Sequence, residues 1–295
     1  IISFQCVPWQ APIGGTRCEE CNKDPFRPCS EYRCKALGQA CQLLNKDKPG
    51  KETCAWVNPK DVNSPTITPW TGVLAPVEDG LRYIEDKSIR PPALGVKIVK
   101  GNDGCLKAFT PLRFGITTNE PAQCKIDINY NTTFEQMQYY FGGSNYYEYN
   151  HTEAMRLPGP ATFNESADAS PIIKNDGTSQ LFVVCRDANG NENKDKYSIK
   201  FCVDKSPDTT PPVIEGTSIV SGNPVMFGAG NVSIDVYVNE PAECKWSIES
   251  KSYENMERTM TCDSESPRII NAMPVYVCVA NLTGLKNNFD NKFYF

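Results

Sequence analysis

One heptapeptide constrains this chain more than any other feature, because it occurs twice. Asn119-Glu120-Pro121-Ala122-Gln123-Cys124-Lys125 returns 120 positions later as Asn239-Glu240-Pro241-Ala242-Glu243-Cys244-Lys245, and Pro91-Pro92 keeps the same offset to Pro211-Pro212. A fixed offset means two copies of one folding unit, so an inference about one copy can be tested on the other. The flanks carry the alternation of half-buried strands. Leu112, Phe114 and Ile116 are answered by Val232, Ile234, Val236 and Val238; Cys124, Ile126 and Ile128 are answered by Cys244, Trp246 and Ile248. Leu181, Val183 and Cys185, then Tyr197, Ile199 and Phe201, supply later strands. Gly142-Gly143-Ser144, Asn175-Asp176-Gly177 and Asn189-Gly190-Asn191 mark turns. Period-two runs at this spacing predict a mainly β protein with tandem antiparallel sandwiches, the first over residues 91–207 and the second, incomplete, over 208–295.

The cysteines set the compartment. A chain of 295 residues with 14 Cys belongs to an oxidising, extracellular environment in which most of them form disulfides. Acceptor sequons at Asn131, Asn150, Asn164, Asn231 and Asn281 agree, and N-linked glycans are the one attached group expected. In the first copy Cys124 and Cys185 are natural partners, which leaves Cys105 to Cys202. In the second copy Cys262 and Cys278 flank a hairpin and can pair. Cys244 is left over: its partner would follow Phe293-Tyr294-Phe295, which resembles Leu181-Phe182-Val183 just ahead of Cys185. Cys6 is odd too. It lies in residues 1–8, which read as an isolated strand, Ile1 to Val7 being similar to Tyr197 to Val203.

Residues 9–60 hold Cys18, Cys21, Cys29, Cys34, Cys41 and Cys54. So small a unit has little core, and three bridges of open connectivity would supplement it. Ser30 is placed to cap a helix running to about Asn45, with Cys34 and Cys41 on one face. Cys18-x-x-Cys21 followed by Cys29 and Cys34 also has metal-knuckle spacing, but an oxidising compartment favours disulfides and no metal. Residues 61–90, rich in Pro and charge, read as a linker packed through Trp70 and Tyr83.

Asp208-Thr209-Thr210-Pro211-Pro212-Val213-Ile214 resembles the joint of tandem immunoglobulin-like or fibronectin-like surface proteins, and Arg186-Asp187-Ala188-Asn189-Gly190-Asn191 resembles their penultimate-strand turn. With the repeated Asn-Glu-Pro-Ala-x-Cys-Lys, residues 91–295 resemble long archaeal cell-surface proteins built of such modules. The resemblance implies immunoglobulin-like sandwiches at a cell surface and brings no catalytic residues with it. It departs from antibody domains, whose second strand carries a Cys that is missing here.

Function classes narrow accordingly. Net charge is −5 with no Lys/Arg stripe, which argues against nucleic acid. No apolar run approaches the roughly 20 residues of a spanning helix, so no membrane insertion by this segment is expected. The single His, His151, is expected in a surface loop and cannot complete a usual triad; the chain is expected not to be an enzyme. Asp187, Asn189 and Asn191 alternate like calcium-loop oxygens, although a turn about Gly190 with Asn capping explains them more simply. Tyr139, Tyr140, Tyr146, Tyr147 and Tyr149 crowd Gly142-Gly143 and read first as core, next as a contact surface.

The leading expectation is an extracellular structural protein of a cell surface or filament. Its partners would be other copies of itself, head to tail, or other surface proteins. Residues 1–7 of one copy would complete the 208–295 sandwich of the next, locked by an intermolecular Cys6–Cys244 bridge. An adhesin gripping glycans or partner cells through residues 139–149 is the second expectation, and the non-catalytic arm of a secreted enzyme the third.

Overall fold

Sulfur organises the first unit, because residues 9–60 offer little else to bury. The computed structural model describes residues 2–3, 8–77, 79–86, 94–159, 177–206, 208–270 and 273–295. Cys6, Pro91, Pro92 and Asn164 therefore lie outside the described residues. Ser30 caps helix α1 (Glu31–Leu37), its Oγ accepting from the Arg33 N–H at 3.3 Å. The helix stops at Gly38, short of Asn45. A Cβ at Gly38 would stand 2.4 Å from the Gly14 carbonyl oxygen, so only glycine lets the chain pass that close. Cys41 consequently opens a strand, β1 (Cys41–Leu44), paired with β2 (Thr53–Trp56), and shares no helical face with Cys34. The bridges are Cys18–Cys41, Cys21–Cys29 and Cys34–Cys54. All six cysteines are buried and, with Leu43, form the core of this unit; sulfurs bound to each other are not thiolate ligands.

Strands β3 (Ile67–Pro69), β4 (Leu81–Glu85), β5 (Gly95–Lys100), β6 (Pro111–Asp127), β7 (Tyr139–Tyr140), β8 (Glu148–Arg156), β9 (Thr178–Asp187) and β10 (Tyr197–Cys202) build the first module. Their order is β3-β6-β9-β10-β5-β4, with β7 and β8 also on β6. The spine is β6, 17 residues long. Its first half is flanked by β3 and β8 and its second by β9 and β7, so one strand serves both layers and the sheet curls almost into a barrel. The alternating residues close on each other as the sequence predicts: Leu112, Phe114, Ile116, Ile126, Leu181 and Phe201 are all fully buried. Cys124–Cys185 joins directly opposed residues of β6 and β9, and Cys105–Cys202 ties the approach to β6 onto β10. Both are the expected pairs.

The described residues of 61–90 are not a linker. β3 pairs with β6, β4 pairs with β5, and the Tyr83 hydroxyl accepts from the Gly115 N–H at 3.0 Å. The second module shows where the first begins. There β11 (Ile214–Thr217) pairs with β12 (Asn231–Val238), Ile214 opposite Val238 as Ile67 is opposite Thr118. Ile67 thus stands for Ile214, an offset of 147 (214 minus 67), and the 27 residues beyond the offset of 120 accommodate β4 and β5. Pro65, not Pro91-Pro92, is the counterpart of Pro212; the matching double proline is a coincidence of sequence.

The second module adds β13 (Lys245–Trp246), β14 (Arg258–Thr259), β15 (Thr261–Ile270) and β16 (Met273–Thr283). Its main sheet runs β11-β12-β16-β15, with β13-β14 apart, so the single spine of the first module is split here into β12 and β13. Val236, Val238, Tyr276 and Cys278 form one buried cluster; Ile234, Trp246, Ala280 and Leu282 form another. Cys262 and Cys278 face each other across β15 and β16 and are bridged. Tyr294 exchanges backbone hydrogen bonds with Ser247 at 2.9 and 2.8 Å, the register that Phe182 holds to Asp127. The likeness of residues 293–295 to 181–183 holds to the residue.

Candidate functional site

The repeated Asn-Glu acts at one place in each module, the point where the incoming chain becomes the first strand. Asn119 Oδ1 accepts from the Thr66 N–H at 2.5 Å, and its own N–H donates to the Thr66 carbonyl. Asn239 does the same to Val213, at 2.6 Å from the amide. One side chain thus closes a ladder that the neighbouring prolines cannot extend. Beside it, Glu120 faces Asp61 and Asp187, while Glu240 hydrogen-bonds Asp208. Asp61 precedes Thr66 by five residues and Asp208 precedes Val213 by five, so the same carboxylate pair recurs at both joints. Sequence reading missed it, because the first copy was aligned from Pro91.

These carboxylates carry unusual protonation. Burial, reinforced by Asp187 and Asp61, pushes Glu120 up to about 7; burial, then the hydrogen bond and charge of Asp208, pushes Glu240 up to about 7. Asp208 stays below the usual range despite its burial, because the Thr210 hydroxyl and amide both donate to it. Each Glu holds its proton in the fold to about pH 7 and loses it near 4.5 when unfolded. The folded state therefore binds more protons between those values, and this stabilisation is complete below 4.5 and lost as pH rises through 7. Thermal melts of the Glu120→Gln/Glu240→Gln protein should show a flatter pH dependence than wild type between about pH 5 and about pH 8, with a higher midpoint at the alkaline end. An unchanged slope would refute the assignment.

The turn at Asp187 follows the simpler expectation. Asp187 is buried; its Oδ1 accepts from the N–H groups of Asn189 and Asn191 at 2.8 Å, and its Oδ2 accepts from Asn191 Nδ2 at 2.8 Å. Asn191 therefore presents a donor to the carboxylate, and Gly190 takes φ 92°. Asn189 points into solvent. The group able to hold a hard cation is a different one: Asp61, Glu120 and Asp187 each place an oxygen within 4.8 Å of the other two.

The tyrosines are mostly engaged inside the molecule. Tyr147 packs on Leu44, Ala55 and Val57 of the Cys-rich unit, and its backbone exchanges hydrogen bonds with the Asn45 side chain at 2.9 and 3.0 Å. The Tyr149 hydroxyl donates to Glu19 Oε1 at 2.6 Å, and Tyr146 lies beneath Lys48 and Lys51. Tyr140 packs with Phe134, Met137 and Val184 and faces Lys125, whose Nζ donates to two carbonyls. Tyr139 alone of the five stays exposed. Tyr146, Tyr147 and Tyr149 thus hold the first unit onto the first module.

His151 is not in a surface loop. It lies on β8, 3 % exposed, its Nε2 3.0 Å from the Glu148 carbonyl oxygen, and burial lowers its pKa. It opposes Ile116, as the buried Met155 opposes Leu112 further along β8. The described sequon residues Asn131, Asn150, Asn231 and Asn281 are all exposed. Cys244 is a free, half-buried thiol. No helix among the described residues is long and apolar enough to cross a membrane. No protein-family model and no curated protein matches the chain.

Proposed function

We propose that the protein is an extracellular structural element, a subunit of a cell surface or filament built from disulfide-linked, N-glycosylated immunoglobulin-like modules. The observation that carries this reading is the repeated joint. Both modules pin their incoming chain with an Asn side chain and a Glu–Asp contact, which supports a role in setting orientation between units. Six disulfides support an oxidising location and resistance to unfolding under load. Exposed sequons on both modules support glycosylation of the outer faces.

We also propose polymerisation through the second module by addition of a strand from another copy. In the first, β9 lies along the second half of β6; in the second, Ser247–Tyr294 is the matching bridge, and Cys244, hydrogen-bonded to Met260, carries a free thiol. Residues 1–7 of another copy, similar in sequence to Tyr197–Val203, add the further strand, with a Cys6–Cys244 bridge as the lock. Such head-to-tail contacts do not close and so build a fibre. Native material run without reductant should give a ladder that collapses on reduction and is lost in Cys244→Ser, with ordered fibres in electron micrographs. Monomers alone, with both thiols open to alkylation, would overturn polymerisation. The adhesin reading is not favoured, since Tyr146, Tyr147 and Tyr149 are engaged with the Cys-rich unit.

A further inference from the structure

Three sulfur atoms meet inside the second module. Cys244 Sγ and the two sulfurs of the Cys262–Cys278 bridge all lie within 4.8 Å of one another. The fold places them there. The Cys244 carbonyl accepts from the Met260 N–H at 2.9 Å, which holds Cys244 beside the start of β15. All three cysteines belong to the cluster around Val236, Val238 and Tyr276. Register shows what is particular to this module. Cys244 takes the place of Cys124, which is bridged, and Cys278, opposite Val236, takes the place of His151, opposite Ile116. Where the first module keeps one bridge and an imidazole, the second keeps a bridge with a thiol against it.

We propose that Cys244, Cys262 and Cys278 form an intramolecular thiol–disulfide exchange site that transfers the free thiol from Cys244 to Cys262 on the edge strand β15. Cys244 Sγ, as thiolate, attacks Cys278 Sγ. The Cys244–Cys278 bond forms, the Cys262–Cys278 bond breaks, and its electron pair leaves on Cys262 Sγ, which takes up one proton in place of the one Cys244 released. One disulfide and one thiol are present before and after, so no oxidant or reductant is consumed. Attack at Cys278 is the useful direction, because Cys278 is 1 % exposed and a thiol left there would be sealed in the core. Cys262 is half-buried on β15, which has a sheet neighbour on one side only. The product bridge also does different mechanical work. The starting bridge joins neighbours in one hairpin, whereas Cys244–Cys278 ties the chain leading into β13 to the main sheet. Burial raises the Cys244 pKa, which lowers the thiolate fraction available for the attack at neutral pH.

The inference concerns a single chain and does not rest on polymerisation, so the test uses the full chain carrying Cys6→Ser. Samples are alkylated at intervals and mapped as peptides without reduction. The expected result is label appearing at Cys262 together with a linked Cys244–Cys278 peptide, both growing with time, and no label at Cys262 when Cys244→Ser is added. Label confined to Cys244, with Cys262–Cys278 the only linked peptide at every time, overturns the proposal. Cys262→Ser, held with a disulfide oxidant such as oxidised glutathione, provides a second reading: loss of both remaining thiols into a Cys244–Cys278 bridge, the oxidant being reduced, supports it, and two alkylated cysteines in a folded chain refute it. Should that variant fail to fold, the time course decides alone.

Discussion

Replacing Cys124 and Cys185 together by Ala should lower the stability of the first module by about 4 kcal/mol. The bridge closes a loop between positions 61 apart, and the chain-entropy account assigns about 4 kcal/mol to a loop of that length. Both cysteines are almost fully buried between β6 and β9, so their loss also leaves a small void in the core. Hydrogen exchange read by mass spectrometry localises the effect. Amides of β6 and β9 should lose about 1,000-fold in protection, the equivalent of about 4 kcal/mol, while those of β12 and β16 change little. A loss under about tenfold would mean that the layers are held by packing alone.

Phe114→Ala should cost a similar amount by a different route. Phe114 is fully buried on the first half of β6 and meets Phe141 edge to face at 5.7 Å between ring centres. Removing the ring forfeits its transfer free energy and leaves a cavity in a layer bounded by strands on both sides of β6, a change worth about 3–5 kcal/mol. Phe289 is 70 % exposed, and Phe289→Ala should stay within about 0.5 kcal/mol. Urea unfolding of both variants against wild type checks the contrast. Equal effects would show that the core has been assigned to the wrong face of β6.

The joint between modules was half legible. Asn119 and Asn239 announced themselves by repetition, yet their task, closing the ladder at Thr66 and Val213, required the position of a strand only three residues long. Such a strand carries no alternation to read, and the chance match of Pro91-Pro92 to Pro211-Pro212 drew the boundary to the wrong place. The carboxylate pairs Glu120–Asp61 and Glu240–Asp208 were hidden for the same reason. His151 was misplaced because a polar residue inside a sequon reads as surface, although it opposes Ile116 and is buried, as Met155 is opposite Leu112.

What the amino-acid order determined on its own is the strands whose apolar residues alternate, β6, β9, β10 and β12, and the three bridges within the repeats. Both follow from short-range rules: alternation with period two marks the buried face, and a repeated register puts cysteines opposite one another. Only the tertiary structure decided where the first module begins, which unit the tyrosines hold, which carboxylates meet at each joint and that a free thiol rests against a disulfide. Each of these is a contact between segments far apart in the chain. A face's periodicity reports that it is buried, but not against what.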